Sequence, residues 1–102
     1  IVNEYHPGQG ISAHIDCQPC FGETIASLSL LSACVMRFAS QTRSQKMDLH
    51  LQPASLLVLS GDARHLWTHA IPARKTDILE GQKHLRSRRL SLTFRTMQVE
   101  TP

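Results

Sequence analysis

Residues 89–95 read Arg-Leu-Ser-Leu-Thr-Phe-Arg, a strict alternation of period two. An extended strand sends successive side chains to opposite faces. Arg89, Ser91, Thr93 and Arg95 therefore share one face, and Leu90, Leu92 and Phe94 the other. At the edge of a sheet such a polar, doubly cationic face would simply be solvated. Inside a barrel the two guanidinium groups would be very costly unless anions paired them, and a small dicarboxylate would serve both. The planar fork of arginine suits that task because it meets a carboxylate with two parallel hydrogen bonds.

The remainder of the chain is punctuated in the same idiom. Strand-length segments are expected at residues 1–5, 11–16, 24–31, 34–39, 47–51, 56–59, 66–71 and 88–98, separated by turn signals such as Pro7-Gly8, Pro19, Gly22, Pro53, Gly61 and Pro72. The two apolar runs 24–31 and 34–39 are expected to pair with each other. Residues 76–86, polar and charged with a single glycine, read as a surface loop with at most a helical turn. No long amphipathic helix and no internal repeat is evident. A chain of 102 residues is enough for one compact domain and too short for two. The fold class expected is all-β, mainly antiparallel, with little helix; a jelly roll is the natural closed solution.

Composition narrows the partners only slightly. No apolar run approaches the roughly 18 to 20 residues that span a bilayer, so no membrane partner is expected, and a monomer is favoured. Eleven Lys and Arg against eight Asp and Glu give a net charge of +3, compatible with a polyanion but weak as proof of one. Three cysteines rule out a fully paired disulfide framework and favour a reducing, intracellular location, cytoplasmic or nuclear. Cys17-Gln18-Pro19-Cys20 is a C-x-x-C motif that could chelate zinc or exchange thiols. No second such pair follows, so these cysteines are expected to be incidental and Cys34 to be a small core residue.

Three constellations carry chemistry. His14 and Asp16 stand two apart, so on a strand they present an imidazole and a carboxylate side by side. His69, in another short strand, is the best third ligand. Two imidazoles and one carboxylate on one side of Fe(II) leave positions open for a bidentate oxoacid and O₂. Asn3 and Tyr5, again on one face, offer an amide and a phenol. The third constellation is the cationic face of residues 89–95. His6, His50, His65 and His84 are expected to be ordinary structural histidines.

Taken in order, Asn3-x-Tyr5-x-Pro7-Gly8, His14-x-Asp16, His69 and Arg89-x-Ser91-x-Thr93-Phe94-Arg95 resemble the AlkB-like Fe(II)/2-oxoglutarate dioxygenases. The resemblance runs from Asn3 to about Arg95. It implies a double-stranded β-helix with iron held by His14, Asp16 and His69, and with 2-oxoglutarate and O₂ as cosubstrates. Arg89 would grip the distal carboxylate of 2-oxoglutarate, assisted by Tyr5 and Ser91. Arg95 and Asn3 would lie near the carboxylate and keto group that chelate iron. The implied reaction turns 2-oxoglutarate into succinate and CO₂ and hydroxylates a substrate C–H bond; an N-linked methyl would leave as formaldehyde.

The implied substrates are modified or alkylated nucleobases in RNA or DNA. Gln18 stands where repair members of the family carry an acidic residue against the damaged base, and Trp67, which reads as core or pocket wall, is a second candidate substrate contact. Residues 8–11 and 61–69 look more like the branch that hydroxylates modified wobble uridine in tRNA. The family's nucleotide-binding lid would precede Ile1, so residues 1–102 are expected to form a single catalytic core without it. The competing readings are a zinc-stabilised or simply basic nucleic-acid-binding module without catalysis, and the same oxygenase chemistry on a protein.

Overall fold

A computed structural model describes residues 1–97. Ten strands and one short helix follow in the order β1 (Val2–Tyr5), β2 (Ile11–His14), β3 (Phe21–Leu30), β4 (Cys34–Ser40), β5 (Lys46–Leu51), β6 (Ser55–Leu59), α1 (Gly61–His65), β7 (Trp67–Ile71), β8 (Thr76–Leu79), β9 (Gln82–Leu85) and β10 (Arg89–Met97). Two four-stranded sheets, ordered β1-β10-β3-β6 and β2-β7-β4-β5, carry the fold, and β8-β9 form a separate hairpin. Every pairing is antiparallel, as expected for a jelly-roll-like all-β domain.

Alternation explains how the core forms. Ile25 and Leu59 project inward from the first sheet. Cys34, Met36, Phe38, Leu51 and Ile71 project inward from the second, and together these side chains make one buried cluster. The inward row of β10 is the exception, because it carries Arg89, Ser91, Thr93 and Arg95. Strand β10 is central, paired to β1 on one side and β3 on the other, so its polar face is not the solvated edge that the sequence left open.

Three expectations about the fold are corrected. The strand expected over 11–16 ends at His14, so Asp16 lies in the connection that follows it. Strands β3 and β4 do not pair: both edges of β3 are taken, by β10 and β6, and the chain crosses to the other sheet through residues 31–33, with Leu31 in the left-handed region (φ 73°). Residues 76–86 are not a loop. They fold as the β8–β9 hairpin, joined by the two residues Glu80 (φ 50°) and Gly81 (φ 78°), the backbone signs that a tight hairpin turn demands. Burial of Asp77 fixes that hairpin. Its carboxylate accepts bonds from Arg86 Nε (2.8 Å) and Nη2 (2.8 Å), from Arg74 Nε (2.8 Å) and from the Val35 amide (3.2 Å). The strand expected over 88–98 is β10; Gln98 lies outside the described residues.

The connection from β1 to β2 sets how β2 meets its neighbour. At Gly10 a Cβ would overlap the Ile71 carbonyl oxygen, so only glycine lets this segment run close enough to the end of β7 for β2 to pair with it.

Candidate metal and cosubstrate site

Strands β2 and β7 place two imidazoles side by side, because His14 and His69 are direct partners in the antiparallel ladder. Their ring centroids lie 4.4 Å apart. Asp16 follows two residues beyond His14, past the end of β2, and its Oδ1 lies 3.2 Å from His14 Nε2 and 3.5 Å from His69 Nε2. One ligand atom from each of the three residues falls within 4.8 Å of the other two. His14 Nδ1 sits 2.8 Å from the Ser12 carbonyl oxygen. A carbonyl can only accept, so Nδ1 is the donor in this contact, and that bond turns Nε2 toward the cluster.

The carboxylate of Asp16 is buried and ionised. A hydrogen bond from His69 holds its pKa well below the usual carboxylate range, against the opposing effect of burial, and the Arg95 guanidinium adds to the lowering. Arg95 Nε donates to Asp16 Oδ2 at 2.9 Å while its guanidinium stacks 4.7 Å over the Phe21 ring.

A cavity of about 150 Å³ opens beside this cluster. Apolar side chains of Ile25, Met36, Leu57, Leu59 and Ile71 wall it, and Asn3, Tyr5, Ser27, Arg89, Ser91, Thr93 and Arg95 supply its polar lining along with His14, Asp16 and His69. Arg89 is only 3% exposed. Its Nη2 donates to Ser29 Oγ (2.8 Å), and its guanidinium carbon lies 5.4 Å from the centre of the Tyr5 ring. Its Nε is buried without a hydrogen-bond partner among the described residues. A buried, charged donor left unmet costs upwards of about 1–3 kcal/mol, so a fold that retains one has a use for it. Burial pushes the Tyr5 phenol up, with the Arg89 charge opposing, so Tyr5 remains a neutral donor. Ser91 and Ser27 share a hydroxyl hydrogen bond (3.0 Å).

All eight residues singled out for metal or cosubstrate therefore line one cavity: the metal candidates His14, Asp16 and His69, and Asn3, Tyr5, Arg89, Ser91 and Arg95. The two candidate substrate contacts do not. Trp67 is half-buried and packs against the hydrophobic core, because on β7 it shares the inward face with His69 and Ile71. Gln18 is engaged at both ends by His65, with Nε2 on the His65 carbonyl (3.3 Å) and Oε1 on His65 Nδ1 (3.3 Å). His65 in turn bonds Glu23 (2.9 Å).

The cysteines of the C-x-x-C motif are not incidental. A tight turn, in which the Cys20 and Phe21 amides both donate to the Cys17 carbonyl, brings Cys17 and Cys20 to a Cα separation of 5.3 Å, and they are joined as a disulfide. Thiols bonded to each other are not zinc ligands, so the zinc-stabilised alternative loses its donors here. Cys34 is a buried free thiol in the core, as expected, and desolvation raises its pKa.

Sequence reasoning missed three contributors. Ser27 and Ser29 alternate with Leu28 and Leu30 on β3, a visible period-two signal inside what reads as an apolar run. Arg64, 2% exposed in α1, donates to the carbonyl oxygens of Asp16 and Cys17 in the loop after β2 and of Gly22 at the start of β3; a lone arginine in a five-residue helix gives no periodic signal at all.

Two imidazoles and a carboxylate that could hold one metal ion open onto a pocket with an unmet guanidinium suited to an anion, on a jelly-roll scaffold. Residues 1–95 match the family described as the 2OG-Fe(II) oxygenase superfamily. The chain is 40% identical over 101 residues to an uncharacterized protein of Acanthamoeba polyphaga mimivirus, covering 98% of this chain and 48% of that one. It is 40% identical over 115 residues to the alkylated DNA repair protein ALKBH8 homolog of Arabidopsis thaliana, covering 95% and 33%. It is 43% identical over 86 residues to the tRNA (carboxymethyluridine(34)-5-O)-methyltransferase ALKBH8 of Macaca fascicularis, covering 84% and 13%. The chain thus spans less than half the length of each of these relatives.

The chain belongs to the 2OG-Fe(II) oxygenase superfamily and is AlkB-like, near the ALKBH8 branch. Membership implies use of Fe(II), 2-oxoglutarate and O₂. The residues present fit both groups: the donor set suits a ferrous ion, and the orphaned Nε of Arg89 suits a carboxylate.

Proposed function

We propose that this chain is the catalytic core of an Fe(II)- and 2-oxoglutarate-dependent dioxygenase that oxidises modified or alkylated nucleobases, with modified wobble uridine of tRNA the favoured target. The observation that carries the reading is the single cavity that holds both the His14–Asp16–His69 cluster and the unmet, buried guanidinium of Arg89. The printed names of the Arabidopsis and macaque relatives, one referring to alkylated DNA and the other to a tRNA uridine, support the choice of nucleic acid. A cytoplasmic or nuclear location is part of the same proposal.

Each residue has a task that follows from its place. His14 Nε2, His69 and one oxygen of Asp16 would hold the iron. Bound iron supplies the chemistry by which O₂ and 2-oxoglutarate are converted, with CO₂ and succinate released, into an oxidant for a C–H bond. Arg89 receives the distal carboxylate of 2-oxoglutarate in a pocket where low dielectric strengthens the pair, and the Tyr5 hydroxyl and Ser91 assist as neutral hydrogen-bond partners. Asn3, the register partner of Ser91, extends the polar lining. Arg95 keeps the Asp16 carboxylate ionised and oriented. The wall of Ile25, Met36, Leu57, Leu59 and Ile71 excludes water from the cosubstrate, while His14, 44% exposed at its side chain, marks the side from which a base would approach.

Anaerobic addition of Fe(II) and then 2-oxoglutarate should develop a weak visible charge-transfer band. A folded, iron-loaded protein that shows no such band would remove the oxygenase reading. The substrate is tested by mass spectrometry of total tRNA, N-methylated oligonucleotides and peptides after turnover. A gain of one oxygen or loss of one methyl on a nucleobase is expected, and modification confined to peptides would overturn the nucleic-acid assignment.

A further inference from the structure

Of the three clustered ligands, two are placed by backbone pairing and one is not. His14 and His69 face each other across a hydrogen-bonded ladder. Asp16 lies beyond the end of β2, in the connection that leads to β3, where no strand partner fixes its main chain. What fixes it instead is Arg64. Its Nη1 donates to the Asp16 carbonyl oxygen (2.8 Å), its Nη2 to the Cys17 carbonyl oxygen (3.2 Å) and its Nε to the Gly22 carbonyl oxygen (3.1 Å).

The geometry is that of a clamp. One rigid planar group closes both ends of the connection between β2 and β3, and each donor that it uses meets a carbonyl rather than a carboxylate. Arg64 is 2% exposed, so none of these bonds competes freely with water. The clamp also has a fixed base, because α1 leads through Leu66 directly into β7, the strand of His69. The same short segment therefore carries one ligand and grips the backbone of another. Carbonyl groups at 2.8–3.2 Å in three directions match a guanidinium, and a lysine ammonium cannot span them with a planar fork.

We propose that Arg64 is a positioning residue of the metal centre, acting through the main chain of Asp16 to hold that carboxylate in register with His14 and His69. Loss of such outer support typically weakens metal binding about 10–100-fold. The inference rests on the reading of His14, Asp16 and His69 as metal ligands. Its test separates the two.

Co(II) is titrated anaerobically into the full chain and followed by its visible absorption, with thermal unfolding recorded for each variant. The unaltered protein should bind one Co(II), and Asp16→Ala should not; equal binding by both would defeat the metal-site reading itself. Arg64→Lys, which keeps the charge, should bind Co(II) about 10–100-fold more weakly, with a changed band shape. Arg86→Lys, a buried arginine remote from Asp16, is the comparator for a purely structural loss. Arg64→Lys that binds like the unaltered protein, or both lysine variants weakened alike, would overturn the proposal.

Hydrogen exchange on the unaltered, metal-free protein gives a reading that needs no variant. With dithiothreitol present, so that the Cys17–Cys20 bond cannot be responsible, the Cys20 amide, which lies outside any strand and donates to the clamped Cys17 carbonyl, should exchange as slowly as those of β3. Exchange at unprotected loop rates would mean that the clamp does not hold the segment, and the proposal would fail.

Discussion

Arg86 and Arg89 stand three residues apart and are both buried, at 9% and 3% exposure, yet they sit in opposite kinds of environment. Arg86 is saturated: Nε and Nη2 meet the two oxygens of Asp77, and Nη1 meets the Pro72 carbonyl, all at 2.8 Å. Arg89 has one neutral hydroxyl, Ser29, and a nitrogen with nothing among the described residues. Both guanidinium groups carry the same desolvation cost. In the first case the protein offsets it internally, so the charge serves the fold. In the second it leaves the offset to a ligand. Unmet donor capacity, rather than burial, is what distinguishes Arg89 from Arg86.

That contrast can be broken by exchange of roles. The largest effect is expected at the saturated site: Arg86→Ala leaves the buried Asp77 carboxylate with only Arg74 and the Val35 amide and should cost up to about 3–5 kcal/mol of folding stability, read as the urea midpoint shift at constant slope. Cosubstrate affinity of the folded fraction should not change. Next comes Arg89→Met, which keeps bulk and removes charge. It should weaken 2-oxoglutarate binding by about 2–4 kcal/mol in an iron-loaded titration and leave unfolding nearly unaffected or improved. An affinity like that of the unaltered protein would erase the distinction between the two arginines.

Acid sharpens it further. Burial acts to raise the pKa of Asp77, but hydrogen bonds from Arg86 and Arg74 outweigh it and bring the group down to about 2 from an ordinary 3.8. The folded state therefore releases this proton more readily than the unfolded chain. The resulting stabilisation, about 2 kcal/mol, is complete above about pH 4 and disappears as pH falls toward about 2. Asp77→Asn should flatten that part of a stability-against-pH curve; an unchanged slope would show that the pair does not titrate as a stabilising unit. The smallest effect belongs to an exposed pair of the same chemistry. Arg37 Nε and Nη2 reach Asp48 at 2.9 and 3.3 Å, with both side chains largely exposed, and Arg37→Ala should cost no more than about 1 kcal/mol.

Much of this organisation could be read from the chain alone, for a physical reason. Period-two alternation is a local property, so the inward row of β10 was legible without tertiary knowledge, whereas Asp16 meets His14 from beyond the end of β2 and not by the alternation expected of a strand over 11–16. The all-β class followed from the same signal. What was not legible depends on contacts distant in sequence. The expected pairing of 24–31 with 34–39 failed because proximity in sequence says nothing about which strand edges are already taken. The β8–β9 hairpin hid because Asp77 and Arg86 look like solvated charges until they meet. Gln18 was singled out by position in a motif, whereas its contacts with His65 depend on a residue far away in sequence; Trp67 packs against the core, in line with its reading as core or pocket wall. The cysteines at 17 and 20 were discounted by counting, a procedure blind to a turn that brings two of three together.

The direct pairing of His14 with His69 has a last consequence. Since side chains in a ladder invert at each residue, a one-place slip of β2 would turn His14 outward and set Ala13 in its stead. A shift between Ile11 and His14 already interrupts the register of β2 with β7, so this pairing is set at His14 itself, where a further step either keeps the imidazole inward or turns it out. Mutations that disturb this edge should therefore yield molecules that either possess a competent centre or lack one, and a weakened preparation should behave as a mixture of the two rather than as a uniformly loosened species.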